Sequence, residues 1–430
     1  MQRKLGAFES ALTLSDAYAP LNVVAVLRLA RAPSAEVLRR ALKALQLRHP
    51  LLRRCIVDDG RRGPCFARCG GREIPLQPVP REDDEAWIRA AEVELGRRID
   101  VESGPLLRCA RLASPSGGEI LLTLHHAIMD AASAVNLCQE LLTVCAVLEN
   151  GGEAATGDEL TRSLPALPAA EALFPPAYQG WRRRAALARF ILRQIRSEAV
   201  DRWRASGCWH APAAGPDRCR ILTFRLSEAE TTALVRRSRQ RRVTLNSVFD
   251  AAQLLAVARH RYRGQSLPLR HLIFANLRPY LEPPIAAKNL GAYFAMLRLS
   301  SRVHPGLELW ELATEIQAEF LAAARRGEKF AASLTSRAMM RGLLRLGSER
   351  MAATALSYVG AVRLDTPGAF EVRGLHAFVA NFGLGPEYTA QVRLYEGRIG
   401  WDILYLDADL SPQAAQRVAD EIRRLLTEAE

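Results

Sequence analysis

Apolar and polar residues follow one another along the first third of the chain in a pattern that predicts alternating strands and helices. The run NVVAVLRL at Asn22–Leu29 predicts a strand, and the apolar positions of residues 37–45 then recur at the spacing of one helix face. LLRRCIV at Leu51–Val57 predicts another strand, and residues 84–95 predict another helix. This alternation predicts an α/β fold for the first part of the chain.

A predicted hairpin leads to the most distinctive stretch of the sequence. Two apolar runs, at residues 106–112 and 119–124, flank the turn signal SPSGG. The second run ends in the adjacent histidines His125 and His126. Asp130 follows, and a long apolar helix is predicted directly after it.

A stretch rich in Gly, Ala and Pro, from Asn150 to about Pro176, predicts a linker between two domains, residues 1–176 and 177–430. The second domain is predicted to be α/β as well, because strand patterns such as RILTFRL alternate with helical ones. It opens with the arginine-rich segment Trp181–Arg204, whose spacing suits a surface crossover helix or a helix lying on a membrane. We favour the crossover helix.

Composition narrows the function classes. The chain has 430 residues, of which 49% are hydrophobic, and its N-terminus does not resemble a signal peptide, so a cytoplasmic globular protein without a transmembrane helix is expected. The net charge of +13 comes almost entirely from arginine and predicts attraction to a phosphorylated cofactor, an acidic carrier protein or an acidic membrane surface. No nucleic-acid-binding motif accompanies the charge, so a nucleic-acid partner is not expected.

The two histidines suggest a metal site, packing residues or a catalytic base. Consecutive strand residues point to opposite faces, which disfavours one metal shared by His125 and His126. Cys65 and Cys69 have the spacing of a zinc half-site, but no second pair completes it. A histidine at a strand end can act as a general base, and Asp130 at the helix start can fix its position. No activated serine motif is present, so direct transfer of a group between two substrates, without a covalent enzyme intermediate, is the simpler mechanism.

The segment HHAIMD at residues 125–130 resembles the HHxxxD signature of the acyl-thioester-dependent acyltransferase superfamily. That superfamily includes chloramphenicol acetyltransferase, condensation domains of nonribosomal peptide synthetases, polyketide-associated acyltransferases and alcohol acetyltransferases. Further similar segments are LRHPLLRRCIV, VTLNSVFDAAQLLAV, ANLRPYLEPP, NLGAYFAMLRL and SYVGAVRL with RLYEGRIGWDILYLD. The resemblance therefore covers nearly the whole chain.

The resemblance implies roles for four residues around the motif. His126, the second histidine, corresponds to the general base, and His125 is its supporting neighbour. Asp130 and Arg53 correspond to a structural ion pair that holds the motif in place.

Three further positions follow from the same resemblance. Ala131 stands where the family has a glycine beside the substrate channel, a departure that we interpret as a narrower substrate space. Arg278 is implied to steady the opposite half near the channel, and Ser357 to line it.

The family fold implies two chloramphenicol-acetyltransferase-like α/β lobes that form a V-shaped pseudo-dimer, with His126 at an interface tunnel. The implied reaction moves an acyl group from acyl-CoA, or from an acidic acyl or peptidyl carrier protein acting in trans, to a hydroxyl or amine. No permanently bound cofactor and no metal are expected. The alternatives are a freestanding condensation protein that forms an amide or ester in natural-product assembly, and a non-catalytic binding module of the same fold.

Overall fold

The computed structural model describes residues 2–58, 60, 63–152, 161–205, 218–262, 265–346, 350–365, 370–380 and 382–428. These residues form two compact units. The first consists of Met1–Leu173, Arg278–Tyr293 and Arg363–Ala380, and the second of Phe174–Leu277, Phe294–Val362 and Asn381–Glu430. The predicted division at residue 176 lies close to the first boundary, but two later segments of the chain belong to the first unit.

Helices and strands alternate in both units, as predicted. The helices in chain order are α1 (Ala7–Tyr18), α2 (Ala35–Arg48), α3 (Ala86–Gly96), α4 (Ala131–Glu149), α5 (Gly180–Ala205), α6 (Glu228–Gln240), α7 (Leu245–His260), α8 (Leu309–Arg325), α9 (Glu328–Leu346) and α10 (Pro412–Glu428). The strands are β1 (Arg3–Lys4), β2 (Asn22–Leu29), β3 (Arg54–Asp58), β4 (Pro64–Arg68), β5 (Leu76–Val79), β6 (Leu107–Ser114), β7 (Gly117–His125), β8 (Cys219–Arg225), β9 (Leu267–Asn276), β10 (Phe294–Val303), β11 (Thr354–Val362), β12 (Val372–Val379), β13 (Tyr388–Tyr395) and β14 (Arg398–Leu406).

The first unit contains a five-stranded sheet in the order β12-β2-β7-β6-β5 and a three-stranded sheet in the order β1-β4-β3. Strand β7 is buried along its whole length because β2 and β6 pair with it on either side. This position accounts for its nearly continuous apolar sequence. The register places His125, the last residue of β7, opposite Asn22 of β2.

The second unit is built on a six-stranded sheet in the order β10-β9-β11-β13-β14-β8. Helix α7 is apolar on almost every face and correspondingly buried, between the sheet and helices α8 and α10. Phe249 of this helix makes an edge-on contact with Trp401, with ring centroids 5.4 Å apart. A capping box starts α6, where the Glu230 N–H donates to Ser227 Oγ at 3.2 Å and Glu230 Oε2 accepts the Ser227 N–H.

One predicted strand is partly wrong. Residues 51–57 were expected to be extended throughout, but Pro50–Arg53 forms a 3₁₀ turn and the strand begins only at Arg54. Proline in the first turn suits such a helical start, since its missing N–H would have no partner there. The turn changes where Arg53 points, with consequences for the site.

Among the described residues, α4 is the one helix whose length and composition would allow it to cross a membrane. Sixty-one per cent of its most apolar stretch is buried inside the protein. It packs against α2 and β2 within the first unit, and we therefore assign it to the core.

Candidate active site

His126 begins the tight turn that connects β7 to α4. The strand ends at His125, a 3₁₀ turn covers His126–Ile128, and α4 starts at Ala131. His126 Nδ1 lies 3.1 Å from the carbonyl oxygen of Met129. Because that oxygen can only accept a hydrogen bond, the contact assigns the proton to Nδ1 and leaves Nε2 as the basic nitrogen.

The surroundings of His126 keep its ring neutral. The side chain is only partly exposed, and burial lowers its pKa from 6.5 to about 4. The Met129 carbonyl and Asp130 act in the opposite direction without overcoming burial. A histidine with this pKa is unprotonated at neutral pH and can accept a proton.

His125 is fully buried and stabilises the 3₁₀ turn His126–Ile128 from the core side. Its Nδ1 accepts the Ala127 N–H at 3.2 Å, and its Nε2 lies 3.7 Å from Asp16 Oδ2 on α1. Burial acts against the charged form of Asp16, but the neighbouring His125 ring and the Leu21 N–H, which donates to Asp16 Oδ1, lower the pKa of this carboxyl. Asp16 was not predicted, since no local motif in the sequence distinguishes it.

Asp130 caps helix α4 and is the centre of a buried polar cluster. Its Oδ1 accepts the Ser133 N–H and the Ser133 hydroxyl, both at 2.8 Å. Arg278 donates to both carboxylate oxygens, from Nε at 2.8 Å and from Nη2 at 3.0 Å. The Tyr293 N–H donates to Oδ2 at 3.2 Å. Such a bidentate, charge-assisted arrangement fixes the start of the helix next to the base.

Arg278 connects this cluster to the segment Arg278–Tyr293, which belongs to the same unit. Its Nη1 donates to the Ala286 carbonyl at 2.6 Å, and Nη2 donates also to the Asn289 carbonyl at 2.8 Å. The guanidinium lies 4.8 Å from the centre of the Tyr293 ring. One arginine therefore holds both the HHxxxD turn and a loop far away in sequence.

The predicted pair of Arg53 with Asp130 is wrong. Arg53 is exposed at the end of the 3₁₀ turn, and its Nη2 donates to Ser163 Oγ at 3.0 Å. The basic residues of this segment that do point inward are Arg48 and His49, which lie 3.1 and 2.5 Å from the carboxylate of Glu140. Arg278 takes the place expected for Arg53. The predicted division at residue 176 places Arg278 in the second domain, whereas in the structure it lies in the first unit together with Asp130.

The remaining predicted positions are found on separate elements. Ala131 is the first residue of α4 and is partly exposed. Ser357 lies in β11 of the second unit, opposite Gln391 of β13. The roles of both residues in a substrate channel stay predictions. No group of three or more His, Cys, Asp or Glu side chains suited to a metal ion occurs within the described part of the chain.

Two protein families match the sequence, one in each half of the chain. The family described as "Condensation domain" matches residues 1–159, and "Phthiocerol/phthiodiolone dimycocerosyl transferase C-terminus" matches residues 215–393. A phthiocerol/phthiodiolone dimycocerosyl transferase of Mycobacterium sp. (strain JLS) is 27% identical over 311 residues, which cover 72% of this chain and 71% of the relative.

Solved structures share the fold over almost the entire chain. Polyketide synthase associated protein 5 from Mycobacterium tuberculosis superposes with a TM-score of 0.69 at 17% identity, covering 100% of this chain and 99% of the other. Trichothecene 15-O-acetyltransferase from Fusarium sporotrichioides gives a TM-score of 0.76 at 14% identity, covering 99% and 95%. Both units therefore have the α/β fold expected from the resemblance. The V-shaped arrangement and its tunnel stay predictions.

Proposed function

We propose that this chain, which belongs to the condensation-domain and acyltransferase superfamily and is an acyl-transferring enzyme, moves an acyl group from a thioester to a hydroxyl or amine acceptor. The proposal rests on one observation, the state of His126. A ring whose pKa is held at about 4, and whose Nδ1 is bonded to the Met129 carbonyl, presents a neutral base at physiological pH.

In the proposed reaction, the acceptor proton passes to His126 while the acceptor oxygen or nitrogen forms a bond to the thioester carbonyl carbon. The carbon–sulfur bond then breaks, and His126 returns the proton to the departing thiolate. The products are an ester or amide and a free thiol, and no group stays bonded to the protein. Asp130 and Arg278 take no proton in this scheme. They position the turn that carries the base.

The donor is acyl-CoA or an acyl chain on an acidic carrier protein, and both are anionic. The net charge of +13 favours their approach over that of a neutral acceptor. Rising salt should therefore raise the apparent KM for the donor more than the KM for an uncharged alcohol. We also propose that the enzyme works in the cytoplasm, which cell fractionation would test.

A hydroxyl acceptor is favoured over an amine. One similar protein is a trichothecene 15-O-acetyltransferase, whose name specifies transfer onto oxygen, and another is a phthiocerol/phthiodiolone dimycocerosyl transferase. The match of residues 1–159 to the condensation family supports the alternative, a freestanding condensation protein that forms an amide or ester in natural-product assembly.

The experiment is a matrix of acyl-CoAs and acyl carrier proteins against alcohol and amine acceptors, with products identified by mass spectrometry and released thiol counted. Acyl transfer to an alcohol with one thiol released per ester is the expected result. Transfer only between carrier-bound partners, with an amide as product, would favour the condensation alternative. Thioester hydrolysis without transfer to any acceptor would contradict both.

A further inference from the structure

Helix α5 combines a well-packed inner side with an unusually apolar outer side. Its Phe190 is buried against Leu297, Ala331 and Ala332, so α5 packs on the surface of the second unit. This packing suits both alternatives predicted for Trp181–Arg204, a surface crossover helix and a helix lying on a membrane. Of the twelve exposed large apolar side chains among the described residues, six lie on this one helix. They are Trp181, Ile191, Leu192, Ile195, Val200 and Trp203.

The spacing of these residues places them on the side of α5 that faces away from the protein. Seven exposed positions form a continuous stripe with intervals of three or four residues, namely Trp181, Ala185, Ala188, Leu192, Ile195, Ala199 and Trp203. Residues at such intervals lie along one face of an α-helix. Trp181 and Trp203 are 75% and 81% exposed and stand at opposite ends of the stripe, about 33 Å apart at 1.5 Å per residue.

Charge on this helix is divided between the two sides. Its acidic residues are turned toward the protein, where Glu198 accepts from Arg270 at 2.5 Å and from Arg298 at 3.0 Å, and Asp201 is buried. Four of the exposed arginines of α5 border the apolar stripe, two along each margin. They are Arg184 and Arg202 on one margin and Arg189 and Arg196 on the other. The outer face is therefore apolar in the middle and cationic at both margins.

We propose that the outer face of α5, the stripe Trp181–Trp203 with its bordering arginines, docks the enzyme onto an anionic lipid bilayer. A helix lying in the plane of a membrane surface buries its apolar stripe at the level of the headgroups, while arginines at the margins reach lipid phosphates. Tryptophan at both ends suits this depth, since its ring is apolar and its N–H is polar. The protein's overall positive charge adds long-range attraction to the same surface.

Two other binding partners fit the outer face of α5 less well than a lipid bilayer does. A second copy of the chain would bring the bordering arginines of both helices together, and like charges would oppose the contact. An acidic protein would satisfy the arginines, but acidic side chains would not bury the apolar stripe of about 33 Å that lies between them. A flat, anionic and apolar surface satisfies both features at once.

Sedimentation of the full chain with lipid vesicles tests the proposal. Binding to vesicles that contain phosphatidylglycerol should exceed binding to phosphatidylcholine vesicles by at least about tenfold and should weaken as salt rises. The triple variant L192S/I195S/W203S and the charge variant R189E/R196E should each weaken binding by about tenfold or more. Tryptophan emission should shift to shorter wavelength on binding.

Matched controls separate this face from general charge. The variant R236E/R239E makes the same change in net charge on exposed positions of α6, and V93S removes an exposed apolar side chain of the first unit. Both controls should bind vesicles like the wild type. The proposal is overturned by absence of binding to anionic vesicles at low salt, by equal losses in R236E/R239E and R189E/R196E, or by α5 variants that change the oligomeric mass but not lipid binding.

Discussion

Two histidines of this molecule, His126 in the first unit and His271 in the second, have opposite chemical surroundings. His271 Nδ1 lies 2.6 Å from Asp250 Oδ2, and its Nε2 lies 3.1 Å from Ser301 Oγ. This order of groups resembles the acid–histidine–serine row of hydrolases. His126 has no carboxylate in the corresponding place, since its Nδ1 contacts the Met129 carbonyl.

Accessibility and charge nevertheless favour His126 as the base. Asp250 and His271 are completely buried and Ser301 is 6% exposed, so the row is enclosed in the core of its unit. Burial opposes a charged His271, but the charge and hydrogen bond of Asp250 raise its pKa above the ordinary value. The pKa of His126 is instead lowered to about 4. A general base must be accessible to the substrate and unprotonated. The order of the acid, histidine and serine groups around His271 ensures neither property.

The largest expected effect is on turnover. His126→Ala should reduce acyl transfer by about a hundredfold or more with the fold intact, as removal of a general base does. Ser301→Ala, the matched change in the buried row, should leave turnover within about twofold, because Ser301 is enclosed in the core of its unit. Both variants are measured under saturating donor and acceptor, with circular dichroism as the check on folding.

Loss of activity in Ser301→Ala would reverse the conclusion drawn about His126 and His271. If Ser301→Ala lost activity as His126→Ala does, the buried row would have to open to substrate, and a covalent acyl-enzyme on Ser301 would replace direct transfer. Mass spectrometry of the intact protein after incubation with donor would detect that intermediate.

The next largest effect concerns stability around the turn. Arg278→Ala or Asp130→Ala leaves one buried charge without its bidentate partner and should cost on the order of 3 kcal/mol of unfolding free energy. Arg53→Ala removes an exposed side chain and should change stability by no more than about 0.5 kcal/mol. Denaturant unfolding measures all three variants.

Activity measurements on Asp130→Ala distinguish a positioning role of the carboxylate from a direct role in the reaction. An Asp130→Ala protein that is inactive but fully stable would contradict a positioning role and indicate that the carboxylate acts on the substrate. Equal destabilisation by Arg53→Ala and Arg278→Ala would contradict the assignment of Arg278 as the partner that holds the turn.

A smaller effect is expected from the buried row, and it depends on pH. Because the folded-state pKa of His271 is raised, the folded protein binds a proton more tightly there than the unfolded chain does. This contribution to stability is fully present below the unfolded pKa of about 6.5 and is lost as pH rises through the folded pKa. Asp250→Asn should therefore lower the melting temperature more at pH 6 than at pH 9. A loss that is equal at both pH values would exclude the charged pair.

How far the sequence predicts the site depends on how local its contacts are. The strand β7, the turn after it and the start of α4 follow from apolar spacing within 119–142, and so do the positions of His126 and Asp130. The partner of Asp130 lies 148 residues away in sequence, and 3.6-residue or 2-residue periodicity contains no information about such a pairing. The same holds for Asp16 behind His125.

The wrong strand prediction at residues 51–53 has a local and a tertiary cause. LLRR has the composition of a strand, but the preceding proline and the tertiary contacts of Arg48 and His49 with Glu140 favour a 3₁₀ turn. Tertiary packing overrides strand propensity in short segments of this kind. The buried row of Asp250, His271 and Ser301 was likewise beyond prediction, because its members come from a helix and two strands.

The smallest expected effect concerns the pH dependence of activity. Activity should hardly change over a pH range in which an enzyme with an ordinary histidine as base would become inactive. With a pKa of about 4, His126 stays neutral at pH 5.5, whereas a ring with a pKa of 6.5 would be about nine-tenths protonated. kcat/KM for acyl transfer should therefore be flat from pH 8 to about 5.5 and fall only near pH 4. An inflection near 6.5 would mean that burial does not control this base. The measurement needs a folding control, because the unfolded chain protonates His126 more readily than the folded protein and stability declines as pH falls from 6.5 toward 4. Loss of activity that precedes loss of the folded signal would come from the base itself.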